Sequence, residues 1–184
     1  MKIIIGVDTQ FVFHALKVID PGNKRFPFRE FHDFIAGEHD EVIEVFAPVI
    51  RFPPQSSALE DVTAADGAYS KMAFALREQG VNVIEAPARL IRQTNEVKHS
   101  DDQRLMIRLA LTCARLKPDF LVLVAADGDY APLVWGLREE GIRTKLITDP
   151  QVLSPDLRIS AFSISDLGNV LLQIMRNSRP PLDG

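Results

Sequence analysis

The stretch DFLVLVAADGDYAPLVWGLREEGIRTKLI, residues 119–147, decides the fold. Its first part, 119–126, is an apolar run of the length expected for a buried strand. Asp127 and Asp129 follow, one residue apart around Gly128. The segment 131–141 then reads as a helix, with Pro132 in its first turn and Gly141 at its end. A second strand, 142–148, begins directly afterwards. Strand, helix and strand at this spacing imply parallel pairing across a helical crossover.

The pattern extends in both directions. KIIIGV (2–7) is a β-branched run and reads as a strand. EVIEVFAPVI (41–50) is a second strand, stopped by the prolines at 53 and 54. GAYSKMAFALREQG (67–80) reads as a helix closed by Gly80, and VNVIEA (81–86) as the strand after it. DDQRLMIRLALTCARL (101–116) is the clearest helix, since Met106, Leu109, Cys113 and Leu116 recur at helical spacing. Ser100 and Gln103 fit a capping box at its start. The joints LREQGVNVI and LREEGIRTKLI are alike, each a helix, a glycine and a strand. The expected fold is α/β, a three-layer α/β/α sandwich on a mainly parallel sheet. One domain is expected over 1–168, with the end of a C-terminal helix and a flexible tail over 169–184.

In an open parallel sheet, ligands bind outside the carboxyl ends of the strands. Asp8 ends the first strand, and Asp127 and Asp129 follow the strand 119–126. Asp101 and Asp102 open the helix that precedes this strand, so they lie at the same edge. Up to five carboxylates can therefore meet in one pocket. Carboxylates this close repel one another, and burial raises the cost. Hard divalent cations such as Mg²⁺ and Mn²⁺ relieve it, because they take oxygen ligands and can activate a water against a phosphodiester. Each acid also has a simpler account. Asp101 and Asp102 suit the macrodipole of a helix start, Asp129 could cap the next helix, and Asp8 could cap a helix over 10–18.

The segments IIIGVD, KHSDDQRLMIRLA and DFLVLVAADGDYAPLVWGLREEGIRTKLI together resemble the NYN domain, a branch of the PIN-like ribonucleases. LSPDLRISAFSISDL (153–167) is similar to that family's closing segment. The resemblance covers roughly residues 1–168. It implies a PIN-like fold and a Mg²⁺- or Mn²⁺-dependent endoribonuclease, a hydrolase whose catalytic and metal-binding acids map onto Asp8, Asp102, Asp127 and Asp129. Asp102 is preferred to Asp101 because its spacing to Leu105 matches the family's Asp-x-x-Leu. Two positions depart from the family. Phe11 stands where it usually has Asn, with Gln10 as a substitute, and Arg108 stands where it often has another acid. A catalytically degenerate member that binds RNA or a protein partner is the alternative expectation. A phosphatase with an Asp nucleophile after the first strand ranks below both, because Gln10 replaces the second acid such enzymes carry.

RNA is the expected partner. Candidate contacts are Gln10, Arg92, Lys98, Arg104 and Arg108, with Arg89 and Arg115 beside them. The stripe Arg104, Arg108, Arg115 also fits a solvated helix face. The chain has 184 residues and a net charge of −4, so binding through its overall field is excluded, and a local basic patch is required. Six of the eleven phenylalanines fall between 11 and 34. They fit a helix and loop packed on the sheet, the usual fate of phenylalanine. They also fit a surface for homo-oligomer formation or base stacking. The single cysteine, Cys113, excludes a disulfide and a cysteine-based zinc site and points to a reducing, cytoplasmic setting. The apolar runs are too short to span a membrane, and the start reaches Asp8 too early for a signal peptide.

Overall fold

A computed structural model of the chain describes residues 1–19, 25–37, 39–53, 59–91 and 96–177. Of the helix end and tail expected over 169–184, residues 178–184 lie outside the described residues. Six parallel strands form one sheet: β1 (Lys2–Val7), β2 (Glu41–Arg51), β3 (Asn82–Pro87), β6 (Phe120–Val124), β7 (Arg143–Thr148) and β8 (Ser163–Asp166). Their order across the sheet is β3-β2-β1-β6-β7-β8. The chain thus runs outward from β1 to one edge, then returns to build the other half beside it. The short strands β4 (Arg89–Ile91) and β5 (Glu96–Lys98) form a separate antiparallel ribbon.

Helices cover both faces, which is why the central strands are apolar throughout and do not alternate. Ile3, Ile5 and Val7 point to one face, with Val122 and Val124 of β6. There they meet α1 (Thr9–Ile19), α2 (Phe28–Ala36), α3 (Leu59–Arg77) and α7 (Leu167–Asn177). Ile4, Leu121, Leu123 and Leu146 point to the other, against α4 (Asp101–Leu116), α5 (Ala131–Glu139) and α6 (Pro155–Ser160). This is the three-layer sandwich read from the sequence. Of the six clustered phenylalanines, Phe26, Phe28 and Phe31 are buried and stacked edge to face beneath α2, and Phe34 is exposed. The helix expected over 67–80 begins earlier, at Leu59. α7 drops Leu167, Val170, Leu171 and Ile174 into the first core.

The two similar joints close in the same way. Gly80 and Gly141 each have φ of +80°, a conformation that costs other residues a Cβ clash. At each joint the N–H of the residue after the glycine returns to a leucine carbonyl, Val81 to Leu76 and Ile142 to Leu137. Pro48 sits inside β2, an unusual place for it. Its carbonyl accepts from Thr9 Oγ1 at 2.7 Å, beyond the end of β1, so its missing N–H costs the ladder nothing.

Gly6 sets how closely α4 approaches the sheet. A Cβ there would lie 2.6 Å from Leu109 Cδ1 of the fully buried Leu109. Gly136, inside α5, has nothing within 4 Å of the same position. Two alanine substitutions should therefore differ in sign. Gly6→Ala is expected to lower stability by about 1–3 kcal/mol through overpacking. Gly136→Ala is expected to raise it by about 0.5–1 kcal/mol through helix propensity. Urea unfolding of both proteins checks this; a Gly6→Ala midpoint at or above the wild-type value would show that α4 can shift freely.

Candidate functional site

β1 and β6 pair in register from Ile3↔Phe120 to Val7↔Val124. The Asp8 N–H continues this ladder to the Val124 carbonyl at 2.9 Å. Asp8 therefore stands where β1 ends, beside the start of the loop that carries Asp127. Its Oδ1 accepts from the Phe11 N–H at 3.0 Å, so Asp8 also caps α1. The capping and pocket accounts of this residue are both correct.

α4 starts at the same edge and brings two acids. One carboxylate oxygen from each of Asp8, Asp101 and Asp102 lies within 4.8 Å of the others. Asp8 is 5% exposed and Asp101 0%. His99 Nδ1 contacts Asp101 Oδ1, while Asp101 Oδ2 is buried with no hydrogen-bond partner among the described residues. Tyr130 donates its hydroxyl to Asp102 Oδ1 at 3.2 Å. Burial first, then the neighbouring Asp101, pushes the Asp102 carboxyl upward. Burial also dominates at Asp8, which rises from 3.8 to about 6, with Asp102 and Asp101 adding to it against the Phe11 N–H. Ordinary partners do not satisfy this cluster. An orphaned buried oxygen beside two acids held toward neutrality fits an oxygen-liganded divalent cation.

The acids line an open pocket of about 680 Å³ with Gln10, Phe11, His14, His99, Asp127 and Ser154. Asp127 is an exposed rim residue. Its Oδ1 accepts from the Asp129 N–H at 3.0 Å and caps a 3₁₀ turn, Gly128–Tyr130, that precedes α5. The cap expected from Asp129 therefore falls to Asp127, because the chain makes this extra turn first. Asp129 is exposed and lies outside the pocket lining. Nor does the capping box at Ser100 form: Ser100 gives no side-chain cap, and its Oγ accepts from Arg104 Nε, one turn on, at 3.3 Å. Gly128 lies so close to Ser154 that a Cβ would meet its Oγ at 2.6 Å, and the Ser154 N–H donates to the Ala126 carbonyl at 3.0 Å.

The expected RNA contacts scatter. Gln10 lines the pocket. Arg104 is held by Ser100 and by the Glu85 carbonyl at 3.1 Å. Arg108 lines a neighbouring groove with Ile107 and Leu111, outside the lining of the acid pocket. Lys98 is exposed on β5, and Arg92 lies outside the described residues. The sequence places Asp101 at this edge but ranks it below Asp102, and it assigns His99 no role. The signal was present in HSDD: a histidine two residues ahead of a first-turn acid.

A six-stranded parallel sheet between helices, with acids gathered at its carboxyl edge, defines a PIN-like domain. A family model described as the NYN domain matches residues 2–166. The chain belongs to the NYN domain family. A protein of unknown function from Vibrio parahaemolyticus superposes with a TM-score of 0.63 at 22% identity, over 90% of this chain and 92% of that one. That likeness speaks for the fold alone. Phosphofructokinase-2 from Escherichia coli aligns over 73% of this chain and 43% of its own at 9% identity, and its TM-score of 0.36 carries no argument. No curated protein matches the chain. Among the described residues, no helix is long and apolar enough to cross a membrane.

The raised Asp8 carboxyl has a measurable sign. The fold favours its neutral form, so this stabilisation is complete below 3.8 and is lost as pH rises through about 6. In EDTA, Asp8→Asn should remove a cost on the order of 3 kcal/mol at pH 8 and change little at pH 3.5. Asparagine keeps the cap on Phe11. Denaturant midpoints at both pH values test this, and identical pH dependence in the two proteins would refute it.

Proposed function

We propose that this NYN domain is an endoribonuclease that hydrolyses RNA phosphodiester bonds with the help of Mg²⁺ or Mn²⁺. The observation that carries the reading is the buried Asp101, whose Oδ2 has no hydrogen-bond partner among the described residues and whose carboxylate lies within 4.8 Å of those of Asp8 and Asp102. Asp8, Asp101 and Asp102 would hold the ion, with Asp127 at the rim. When bound, the ion supplies charge neutralisation for the phosphodiester and lowers the pKa of water.

The chain's own residues do the rest. His99 fixes the rotamer of Asp101 by contacting Oδ1, which leaves Oδ2 for the pocket. Tyr130 does the same for Asp102. The Phe11 N–H holds Asp8 Oδ1. Three separate donors thus orient three carboxylates before any substrate arrives, which is where catalytic electrostatics gains most. Gln10 and His14 line the open side, where a substrate strand would enter. Among the acids, Asp129 has the weakest support for a metal role, since it does not line the pocket.

A binding module without catalysis is the second reading. Phe11 favours it, because a ring lines the pocket where the family usually carries an asparagine.

Purified protein with Mn²⁺ and single-stranded RNA should cleave internally, and Asp101→Asn and Asp127→Asn should not. Equal cleavage by wild type and Asp101→Asn would rule out this site, and no Mn²⁺-dependent cleavage by the wild type would sink the nuclease reading. Tyr130→Phe should keep the fold and weaken Mn²⁺ binding about 10–100-fold, as loss of a supporting hydrogen bond does at metal sites. Calorimetric titration with Mn²⁺ reads this directly; no uptake by the wild type would favour the binding module.

A further inference from the structure

The acid pocket occupies one end of the sheet, and a different chemistry occupies the other. The amino ends of β6 and β7 and the approach to β8 gather cations and rings. The Arg143 guanidinium lies 5.0 Å from the centroid of Phe162 and 5.8 Å from that of Phe120. Lys145 Nζ is 4.5 Å from the Phe120 ring, and Arg138 lies 5.4 Å from the Trp135 ring. Phe162 is 60% exposed, and Trp135 is exposed too. A cavity of about 490 Å³ between α5, β7 and the end of α6 is lined by Arg138, Arg143, Thr144 and Phe162. Thr144 is 2% exposed, and its Oγ1 has no hydrogen-bond partner among the described residues.

Ring contact alone does not satisfy these cations. Arg51 provides the comparison within the same molecule. It also stacks on a ring, Tyr69 at 5.8 Å, but its N–H groups are taken by Asp66 at 2.6 Å and Glu85 at 3.1 Å. Among the described residues, Arg138, Arg143 and Lys145 have no carboxylate within 4.0 Å. Their donors are therefore left for an outside acceptor. In a chain of net charge −4, Arg138 and Arg143 line one cavity whose lining residues include no acid. Guanidinium groups match phosphate oxygens, and exposed rings stack nucleobases of any sequence.

The geometry points to a second nucleic-acid site at this edge, which holds a single-stranded RNA segment with phosphates on Arg138 and Arg143 and a base on Phe162. The choice of RNA rests on the nuclease reading; the site itself does not. Phe120 opens β6 and the acids lie beyond its other end at Val124, which is about 13 Å along the strand at about 3.3 Å per residue. The site is thus distinct from the acids and would hold the strand several nucleotides from the point of cleavage.

The probe is a 15-nucleotide fluorescein-labelled oligouridylate, with binding read by anisotropy in EDTA so that no cleavage occurs. The double variant Arg138→Gln/Arg143→Gln should bind at least tenfold more weakly. Its salt slope should fall by about 1.4, the share of two single-strand phosphate contacts. Phe162→Ala should weaken binding about tenfold with the slope unchanged, because stacking releases no counterions. Lys71→Gln, an exposed change on α3, should bind as the wild type does. Wild-type binding that survives the double variant, or no wild-type binding at low salt, would overturn the proposal. Arg143-dependent binding without Mn²⁺-dependent cleavage would uphold this site and remove the nuclease reading. The Mn²⁺-induced shift in melting temperature should be the same in the double variant and the wild type, which separates lost RNA contact from lost folding.

Discussion

The pairing of β1 with β6 is the contact on which the site depends. It is continued by one hydrogen bond, from the Asp8 N–H to the Val124 carbonyl. That bond sets the height of Asp8 relative to the loop carrying Asp127. Because the side-chain period of a strand is two, a slip of one residue would turn Ile3, Ile5 and Val7 to the opposite face. Burial on both faces alone would tolerate such a slip in composition. Gly6 does not: it must lie under Leu109, since any other side chain would collide there. The register is fixed by packing, and α4 with its two leading acids is fixed by the same contact.

The cluster's electrostatics follow from this placement. Three carboxylates are held within 4.8 Å of one another, two of them buried, so the fold bears a cost that an ordinary core would avoid. Local hydrogen bonds from Phe11, Tyr130 and His99 offset part of it. Proteins keep such strained polar groups at functional places. At the opposite end of the sheet, Arg138 and Arg143 have no carboxylate within 4.0 Å among the described residues.

Much of this was legible in the chain itself. Apolar runs placed five of the six strands of the sheet; β8, SISD, is polar and exposed and has no such run. Gly80 and Gly141 marked two helix ends where the backbone turns left-handed. Topology alone brought Asp8, Asp102 and Asp127 to one edge. Details that depend on the path between elements were not legible. The 3₁₀ turn at Gly128–Tyr130 moved a cap from Asp129 to Asp127. Arg104 took the hydroxyl that a capping box would have used. Topology also allowed Asp101 at that edge, but its rank below Asp102 did not hold, because burial to 0% is a property of neighbours, not of sequence position. The aromatic–cation edge was hidden for the same reason: Phe120, Arg138, Arg143 and Phe162 meet only once β6, β7 and β8 lie side by side.

The sequence distance between β1 and β6 has a bearing on how the molecule comes into being. Lys2 bonds to Asp119 across 117 residues, and Val7 pairs with Val124. Contacts of such long range form late, after their loop-closure cost has been met by earlier structure. On a ribosome, Asp8 is made first, yet its neighbours at the sheet edge follow only when most of the chain has emerged. The half-sheet β1-β2-β3 can collapse earlier, with one flank of β1 open. The acid cluster thus needs both ends of the chain's long-range pairing: Asp8 meets Asp101 and Asp102 only where β6 lies beside β1.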